Sequence, residues 1–488
     1  MSDRAMEINP PLYKRLAQHV EAAIARGSLK FGDRLPSLRA LSVRHDVSIS
    51  TALQTYRYLE NRRFVEARPK SGYFVSSVNR TLKIPEPALH TPRASFVGKT
   101  QYVMEVLEAS RRADVIPFGA AVPDPLLCPS AKLQRLMASA LRRDSSLSSL
   151  YVLSIGHPEL QRQIARRSID FGCRLQPAEI VVTNGAMEAL NLALRAVAHA
   201  GDTIALESPT FFGLLQLVES LGMKAVEIPT HPRDGISLEA LDLATQNSGA
   251  VKACVVTANF QYPLGSLMSD ANKKRIVKLL AARDVALIED DICGDLYFGK
   301  TRPRAAKAWD DESNVILCSS FTKCLAPGLR VGWMAPGKYL ARVEVLKLIT
   351  SISTAALPQV AIARFMEDGG YDHHLRKLRR AFYDQTQRFA DAIARYFPAE
   401  TRMSLPRGGY LLWVELPKRV DAHRLFETAM RESTGIAPGA MFSNSERFNH
   451  YIRLNCGHLW SPPIERALRR LGELTEEISH EARNQRRA

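Results

Sequence analysis

The segment Ser319–Trp333 contains a lysine, a serine and an arginine at a spacing that suits chemistry on a phosphorylated aldehyde. The amine of Lys323 follows an apolar run and can form a Schiff base. The Ser320 hydroxyl and the planar guanidinium of Arg330 can hold a phosphate dianion. A surface lysine and arginine after a buried strand would give the same local pattern, so the interpretation needs further parts of a site elsewhere in the chain.

Apolar runs separated by helical patterns predict the sheet that would position this segment. They lie at 180–183, 203–207, 253–256, 285–289 and 315–318. Continuous apolar strands that alternate with helices are typical of a mostly parallel sheet covered on both faces. Because ligands bind beyond the carboxyl ends of such strands, we expect the functional residues to follow these runs.

Three of these strand ends carry candidate residues. Gly185, Ala186 and Met187 open a helix, whose free N–H groups can bind a phosphate, although any strand-to-helix turn can contain glycine. Phe211 follows the next strand and can stack on a flat cofactor or simply pack in the core. Asp290 can keep a pyridine nitrogen protonated. The acids around it could instead cap a helix or bind a metal, but no metal site is predicted without a nearby histidine.

Arg453 lies inside an apolar strand pattern near the end of the chain. A buried arginine needs a partner, because leaving its charge unpaired away from water is costly. The carboxylate of a ligand is one candidate partner, and an internal salt bridge is the other.

The first 75 residues predict a helix–turn–helix followed by a hairpin. Leu12, Leu16, Val20 and Ile24 share one helix face. A second helix is expected over Leu38–Arg44 after the cap Ser37, and a third after the cap Ser48, with Ala52, Tyr56 and Leu59 buried. The runs 64–68 and 71–75 flank a basic tip and predict a wing. A small helical domain that binds protein is the alternative interpretation.

The helix–turn–helix pattern fits a DNA-binding unit, in which we expect the third helix to enter the major groove. The residues expected to contact DNA are Arg39, Ser48, Ser50, Thr51, Gln54, Arg68 and Lys70. From 76 to 110 the sequence contains several prolines and little periodicity, which predicts an extended, semi-rigid linker.

Length and composition set the broad class of the protein. A chain of 488 residues is too long for one compact core, so we expect two or three domains. No apolar run reaches the roughly 18 residues needed to span a membrane. The N-terminus lacks a signal-peptide pattern, and the seven cysteines are scattered without a Cys-x-x-Cys pair. These features favour reduced thiols in the cytoplasm, without a disulfide framework or a zinc site.

The net charge of +16 suggests a polyanionic partner. Residues 1–75 contain 13 Lys/Arg and 7 Asp/Glu, a net charge of +6. The positive excess is therefore enriched at the N-terminus but extends over the rest of the chain.

Two sets of motifs resemble known families. The order Gly-Asp-Arg-Leu-Pro-Ser-Leu-Arg at 32–39, Ser48-x-x-Thr51 and Ser-Gly-Tyr-Phe-Val at 71–75 resembles the winged helix of GntR-type bacterial regulators. From about Pro117 onward, the order of the candidate residues resembles the aspartate aminotransferase family of fold-type I pyridoxal-phosphate enzymes. Together they resemble a MocR-type regulator, a GntR subfamily with an aminotransferase-like domain.

The resemblance implies a multidomain fold. A winged helix-turn-helix at 1–77 would be followed by a linker at 78–112. An α/β fold-type I pyridoxal-phosphate transferase-like domain would occupy 113–488, with a mostly parallel sheet and a small C-terminal α+β subdomain.

It also implies roles for individual residues. Lys323 would carry pyridoxal phosphate as the internal Schiff base, Asp290 would pair with the pyridine nitrogen, and Arg453 would bind the carboxylate of an amino acid. The phosphate ligands would be Gly185, Ala186, Met187, Ser320 and Arg330, and Phe211 would stack on the ring. Tyr151 lies where the family has a tyrosine that reaches the phosphate of the neighbouring subunit, so a homodimer is implied.

Three positions depart from the patterns of these families. Ile49 stands where GntR regulators usually have an arginine, which suggests an unusual operator. Tyr262 replaces the family's asparagine and Cys293 its tyrosine, two residues that would hydrogen-bond the phenolic oxygen of the cofactor. Tyr262 can still donate such a bond, whereas a thiol donates weakly. We expect a more basic Schiff base and less effective proton transfer at the cofactor, unless the family tolerates the changes without consequence.

The sequence supports three functional hypotheses. The first is a cytoplasmic transcription regulator that binds double-stranded DNA and senses an amine or amino acid through pyridoxal phosphate. The second is an active aminotransferase with an accessory DNA-binding domain, which Tyr262 and Cys293 make less attractive. The third is a sensor of pyridoxal phosphate itself.

Overall fold

The structure of the protein is a computed structural model. It describes residues 11–26, 28–29, 33–61, 64–68, 71–75, 82–109, 112, 114–149, 151, 155–246 and 250–485. The chain forms two compact units. The first contains the N-terminal region up to Leu82 together with Ala390–Phe397, and the second contains Lys83–Phe389 and the chain from Pro398 onward.

The N-terminal region has the predicted helix–turn–helix and hairpin. Its elements are α1 (Leu12–Ala25), α2 (Leu38–His45), α3 (Ile49–Asn61), β1 (Val65–Arg68) and β2 (Gly72–Val75). The two strands are antiparallel, with Val65 opposite Val75. Ala52, Tyr56 and Leu59 are fully buried, as the spacing along α3 predicts.

Serine caps fix the starts of the second and third helices. The Ser37 hydroxyl accepts a hydrogen bond from the Ala40 N–H at 3.2 Å, and the Ser48 hydroxyl accepts one from the Thr51 N–H at 3.1 Å. Each cap satisfies a backbone donor that the first helical turn leaves without a partner. The Tyr56 hydroxyl donates to the Pro36 carbonyl at 2.7 Å and so ties α3 to the turn before α2.

The remainder of the chain is an α/β structure. Its strands are β3 (Ala94–Phe96), β4 (Ile116–Pro117), β5 (Val181–Thr183), β6 (Thr203–Ser208), β7 (Lys224–His231), β8 (Gly235–Ile236), β9 (Val251–Val256), β10 (Ala286–Asp290), β11 (Val315–Ser320), β12 (Gly332–Ala335), β13 (Arg402–Met403), β14 (Leu411–Glu415), β15 (Thr434–Gly435), β16 (Ala437–Pro438) and β17 (Tyr451–Asn455). Its helices are α4 (Thr100–Ala109), α5 (Ser130–Arg143), α6 (Pro158–Ser168), α7 (Ala186–Val197), α8 (Phe212–Ser220), α9 (Leu238–Thr245), α10 (Asp270–Ala281), α11 (Leu340–Ser351), α12 (Ala356–Glu367), α13 (Gly370–Tyr396), α14 (Ala422–Arg431) and α15 (Pro462–Gln485).

The large sheet is mostly parallel, as predicted. Within the described residues its order is β3-β7-β6-β9-β10-β11-β12-β5, with β8 paired to β7. The strands from β7 to β11 in this order are parallel to one another, whereas β12 is antiparallel to both of its neighbours. Buried apolar side chains cover both faces, so the polar residues at the carboxyl ends of the strands face a common edge.

A smaller antiparallel sheet has the order β13-β14-β17-β16, and α14 and α15 pack against each other beside it. This is the small α+β subdomain expected near the C-terminus. Arg453 occupies the middle of β17, opposite Trp413 on β14 and Ala437 on β16. The sheet therefore holds this arginine on a rigid strand.

The segment predicted as a linker lies against the large domain over its described part. Ala94–Phe96 pairs antiparallel with β7, and the Lys83 carbonyl accepts a hydrogen bond from the Met403 N–H at 2.9 Å. The His90 ring bonds the Glu227 carbonyl at 2.9 Å. The described part of the segment has no helix before Thr100, where α4 begins, so it is extended but docked.

Candidate functional site

The carboxyl ends of β10 and β11 bring together an acid and the segment that contains Lys323. The two strands are parallel neighbours, with Asp290 opposite Cys318. Lys323 follows the end of β11 by three residues. Adjacent parallel strands that end at the same edge thus explain why residues 33 positions apart in sequence share one pocket.

Lys323 is half-buried and its amine is unusually acidic. Removal from water, together with the positive charges of Arg453 and Arg330, lowers the pKa of the amine to about 8, while Cys293 and Asp290 act in the opposite direction. Its Nζ donates a hydrogen bond to the Ala121 carbonyl at 2.5 Å. A lowered pKa makes the neutral, nucleophilic form of a lysine accessible near neutral pH.

Three consecutive acids end β10, and the structure gives each a different environment. Glu289 accepts hydrogen bonds from backbone N–H groups, the first of them that of Ala306 at 2.7 Å. Asp291 forms an ion pair with Arg302 at 2.5 Å. Asp290 has no cation within ion-pair distance among the described residues. Its Oδ1 accepts a hydrogen bond from the backbone N–H two residues further on, at 3.2 Å, and its Oδ2 has no partner among the described residues. Burial and the neighbouring Asp291 raise the pKa of Asp290 to about 7, so this carboxyl group retains one oxygen available to a ligand.

The first turn of α7 and Arg330 form a small cup for an anion. Gly185 precedes the helix with φ +82°, and a Cβ there would collide with the Arg330 guanidinium. The Arg330 Nη2 donates to the Asn184 carbonyl at 3.2 Å, and no described acid pairs with this arginine. A Cβ at Gly332 would lie 2.8 Å from the Gly185 Cα. The two glycines therefore allow the arginine and the helix N-terminus to approach one another.

Hydroxyl groups complete the cup, and one of them is a residue that the sequence analysis missed. The Ser320 and Thr322 hydroxyls lie 2.7 Å apart, and the Arg330 Nη1 donates to the Thr322 hydroxyl at 3.5 Å. Ala186 and Met187 provide the first residues of α7. Thr322 stands one residue before Lys323, and its place in a Ser-x-Thr-Lys sequence was the available signal.

Arg453 is fully buried beneath an aromatic wall. Its guanidinium donates hydrogen bonds to the Tyr262 hydroxyl and the Gly119 carbonyl. The ring of Tyr262 lies 5.0 Å from that of Phe211, edge to face, and the Arg453 Nε has no partner among the described residues. A buried arginine with neutral partners and a free N–H retains the capacity to bind a carboxylate.

The chain segment from Gly119 to Val122, here called the strap, closes this side of the pocket. Its four carbonyls accept hydrogen bonds from side chains of the site. The pairs are Arg453 to Gly119, Asn455 to Ala120 at 2.5 Å, Lys323 and Tyr410 to Ala121 at 2.5 and 3.1 Å, and Asn455 to Val122 at 2.8 Å. Asn455 and Tyr410 were not predicted, although Asn455 follows Arg453 by two residues and so faces the same side of β17.

Cys293 lies at the centre of the pocket. Its side chain is buried, and loss of hydration raises the pKa of the thiol to about 12, with Lys323 and Asp290 acting in opposite directions. The thiol is therefore neutral at physiological pH. Burial also raises the pKa of Tyr262, so both replaced positions present neutral groups.

Tyr151 lies apart from this pocket within the described chain. It is 71% exposed, and it contacts none of the predicted cofactor ligands. An exposed tyrosine is what a role across a subunit interface would require.

The predicted DNA-contacting residues share the exposed side of the helix–turn–helix. Arg39, Ser48, Ser50 and Gln54 are exposed and Thr51 is half-buried. The Ser48 hydroxyl bonds the hydroxyls of Ser50 and Thr51 at 2.7 and 2.9 Å. Lys70 and the side chain of Arg68 lie outside the described residues.

The charges in the pocket fit pyridoxal phosphate. Arg330, Asp290 and Arg453 carry charges or ionisable groups without an ionic partner among the described residues, and they surround the amine of Lys323. An arginine cup suits a phosphate, a buried acid suits a pyridine nitrogen, and a buried arginine suits a carboxylate.

No described helix is long and apolar enough to cross a membrane.

Comparisons with known proteins match two parts of the chain to two families. Residues 12–75 match the family of bacterial regulatory proteins called the gntR family. Residues 113–471 match the family of class I and II aminotransferases.

Similar proteins share both parts. The HTH-type transcriptional regulator YdcR of Escherichia coli K12 is 41% identical over 95% of this chain and 99% of its own length. YjiR of the same organism, also an HTH-type transcriptional regulator, is 36% identical over 94% of this chain and 98% of its own length.

Among solved structures, the large domain is similar to LysN, an α-aminoadipate aminotransferase from Thermus thermophilus. That structure is a complex with N-(5'-phosphopyridoxyl)-L-leucine. The TM-score is 0.71 at 26% identity, over 78% of this chain and 95% of LysN. The winged helix, the fold of the large domain and full-length relatives agree: this chain belongs to the GntR-type transcription regulators that carry a class I and II aminotransferase domain, the MocR type.

Proposed function

We propose that this regulator binds pyridoxal phosphate on Lys323 and uses it to sense an amine or amino acid. The observation that carries the proposal is the set of three groups without ionic partners around a lysine of lowered pKa. Asp290 and Arg453 are buried, and a buried charge is costly unless a ligand pairs with it, whereas the Arg330 guanidinium is exposed and open to an incoming anion. Arg330, Asp290 and Arg453 match the phosphate, the ring nitrogen and a substrate-like carboxylate.

When bound, pyridoxal phosphate supplies an aldehyde that exchanges one amine for another and a ring that withdraws electrons. Lys323 provides the resident amine, and with a pKa of about 8 roughly a tenth of it is neutral at pH 7. Asp290 would keep the ring nitrogen protonated by accepting a hydrogen bond from it. Ser320, Arg330 and the N–H groups that begin at Gly185 would hold the phosphate, together with Ala186 and Met187 in the first turn of α7, and Phe211 would stack on the ring.

A carboxylate that binds both terminal nitrogens of Arg453 would compete with the present partners of this arginine. The Tyr262 hydroxyl and the Gly119 carbonyl each accept one hydrogen bond, from Nη1 and Nη2 respectively, whereas the Nε has no partner among the described residues. A carboxylate is a stronger acceptor for a guanidinium than either neutral oxygen. An amino acid that enters the pocket therefore competes with the strap, which also bonds Lys323.

For DNA, we propose that Ser48, Ser50, Thr51 and Gln54 face the bases and that Arg39 contacts the backbone. Arg68 and Lys70 would reach phosphates from the wing. We further propose the domain limits 1–77, 78–112 and 113–488 and a homodimer with two winged helices on paired half-sites.

The test compares wild type with Lys323→Ala after addition of pyridoxal phosphate. Wild type is expected to gain an absorbance band near the visible edge, and borohydride is expected to fix the cofactor on a peptide that contains residue 323. Lys323→Ala should show neither signal while its thermal unfolding matches that of wild type. Fixation of the cofactor to wild type at another lysine would overturn the proposal.

Arg453→Gln tests the sensing of an effector. DNA fragments recovered by mapping bound sites serve as the probe, with a panel of amino acids and the corresponding decarboxylated amines. An amino acid that changes DNA affinity in wild type should need about a 10- to 100-fold higher concentration in the variant, since a charged hydrogen bond contributes about 1.5–3 kcal/mol. The amine response should stay unchanged. An equal loss for both ligand classes would contradict the assignment.

The same protein tests the enzymatic alternative. Incubation with pyridoxal phosphate, an amino donor and a keto acid should give no sustained turnover, because Tyr262 and Cys293 replace the usual hydrogen-bond donors to the ring oxygen. Turnover at a median enzyme rate of about 10 per second would favour an aminotransferase instead. A response of DNA binding to pyridoxal phosphate alone, without any amine, would identify the cofactor as the effector.

A further inference from the structure

A basic cleft lies on the large domain between α13 and the loop that follows β10. Its volume is about 590 Å³. Four cations line it, accompanied by aromatic side chains and one acid: Lys300, Arg376, Arg379 and Arg380, with Tyr297, Phe298, Tyr383 and Asp372. None of these residues belongs to the pocket around Lys323.

The positive charge of the cleft is not neutralised within the described part of the chain. Lys300, Arg376 and Arg380 are exposed and form no ion pair there. The one acid in the lining, Asp372, is engaged by Arg167 at 2.6 Å. The cleft therefore presents several cations and no free carboxylate.

Helix geometry concentrates this charge on one face of α13. Arg376 and Arg380 are four residues apart and Arg379 is three from Arg376, so their side chains are neighbours. Like charges at these spacings are unfavourable in an isolated helix. An anion that binds all of them would remove this repulsion.

Aromatic contacts hold the walls of the cleft in place. The Arg379 guanidinium lies 4.0 Å from the centre of the Tyr297 ring, and the rings of Phe298 and Tyr383 meet edge to face at 5.5 Å. These contacts join the loop after β10 to α13. The cations are thus presented on a fixed surface, with tyrosine hydroxyls near them that can also bond phosphate oxygens.

We infer that this cleft binds the phosphate backbone of double-stranded DNA, as a second contact in addition to the winged helix. Arginine, lysine and tyrosine are among the side chains that proteins use on phosphate oxygens. The chain belongs to a family of DNA-binding regulators, and residues 1–75 account for only +6 of its net charge of +16. The row of cations is exposed and open, and Lys377 extends it along the helix, which suits a long polyanion. The inference rests on the proposed binding of DNA.

The experiment measures how the affinity of the full-length protein for a mixed-sequence duplex depends on salt. Backbone contacts do not require a particular base sequence, so no operator is needed. Fluorescence anisotropy over a sodium chloride series gives the slope of log Kd against log salt. Loss of one phosphate contact reduces that slope by about one. The variant Arg376→Gln/Arg380→Gln should therefore reduce it by about two, and Lys300→Gln by about one.

A matched control removes two charges elsewhere. Lys274 and Lys278 are also four residues apart on an exposed helix face, on α10, and neither forms an ion pair among the described residues. Lys274→Gln/Lys278→Gln should leave the slope at the wild-type value. Thermal unfolding of both double variants should match that of wild type, because the replaced side chains are exposed.

Three results would overturn the inference. The first is an equal slope for wild type, the cleft variants and the control. The second is calorimetric binding of inorganic pyrophosphate that the cleft double variant loses while its DNA slope stays at the wild-type value, which would assign the cleft to a small anion. The third is a wild type that binds no duplex, which would remove the proposed DNA-binding function as well.

Discussion

Burial sorts chemically similar side chains in this protein into different roles. At the end of β10, both oxygens of Glu289 accept hydrogen bonds from backbone N–H groups, and Asp291 pairs with an arginine. Asp290 accepts a single hydrogen bond, from the Ile292 N–H at 3.2 Å, and its second oxygen has no partner among the described residues. Arg453 is also fully buried, and because its partners are neutral oxygens, its charge has no ionic partner among the described residues. At this scale the candidate function depends on which ionisable groups the fold leaves without a charge to pair with.

Glu207 is another buried acid beside this site, and it leads to a prediction about pH. Burial raises the pKa of this carboxyl to about 8, and the charge of Asp290 contributes in the same direction. One of its oxygens accepts a bond from the Thr257 N–H at 2.9 Å, and the other has no partner among the described residues. The folded state therefore holds a proton that the unfolded state releases above a pH of about 4.5.

The sign of the effect follows from this difference in proton binding. The contribution of protonated Glu207 to the free energy of unfolding is fully present below a pH of about 4.5 and is lost as the pH rises through about 8. The variant Glu207→Gln has no carboxyl group at this position, so it should not show this loss of stability. Between pH 4.5 and about 8, the unfolding temperature of the variant should therefore fall less than that of wild type. The difference amounts to at most about 5 kcal/mol, at about 1.4 kcal/mol for each unit of pKa. Parallel pH profiles of thermal unfolding for the two proteins would contradict the prediction.

At the scale of elements, the strap is the part of the structure that joins the separate functions of the site. Its carbonyls bond Lys323, Arg453 and Asn455, which come from two different sheets. It follows β4, which pairs with β15. Release of the strap by a ligand would thus change contacts in both the pocket and the small subdomain.

Asn455→Ala tests how firmly the strap is held. The change removes the hydrogen bonds to the Ala120 and Val122 carbonyls. At about 1 kcal/mol for each bond, amide hydrogen exchange over 119–124 should accelerate by roughly 10- to 30-fold. Asn272→Ala on α10, whose side chain makes no hydrogen bond to described residues, serves as the control. Unchanged exchange in the strap of Asn455→Ala would show that other contacts hold it.

Ser48→Ala tests the start of the third helix. Loss of the cap on the Thr51 N–H should destabilise the N-terminal unit by about 0.5–2 kcal/mol, measured by amide exchange along α3. Ser48→Asp should restore the cap but weaken DNA binding, since a carboxylate repels phosphate. Equal DNA affinity of Ser48→Asp and wild type would place Ser48 away from the DNA.

At the scale of the whole molecule, two units with unrelated folds share one chain. The winged helix supplies DNA binding, and the large domain supplies a pocket suited to a small molecule. Ligands shift a conformational equilibrium only when they bind its states differently. The proposed competition between a ligand carboxylate and the present partners of Arg453 would be a difference of this kind.

A dimer is the expected assembly, and light scattering should give twice the chain mass of 54.3 kDa. Tyr151, exposed in the single chain, would then reach the phosphate in the neighbouring subunit. Tyr151→Phe should release pyridoxal phosphate about tenfold faster, the effect of a hydrogen bond of about 1.4 kcal/mol. A monomeric mass would remove this role for Tyr151, and a dimer with unchanged release would show that the hydroxyl does not bind the phosphate.

The sequence alone was sufficient for the elements and the order of the motifs. Apolar runs, serine caps and helical spacing are local, so the winged helix, the strands that end at Asp290 and Ser320 and the mostly parallel sheet followed from nearby residues. The resemblance to two families rested on the same local motifs. The structure agrees with them, and the comparisons confirm the families.

Tertiary structure alone decided which groups meet. The path of the chain brings together residues that local patterns do not connect. Examples are the strap carbonyls with Lys323 and Arg453, the Thr322 hydroxyl with Arg330, and Lys300 with α13. Local periodicity does not predict such partners, because the free energy of a buried charge depends on every group around it. Pairing across long stretches of sequence therefore set the electrostatics of the site.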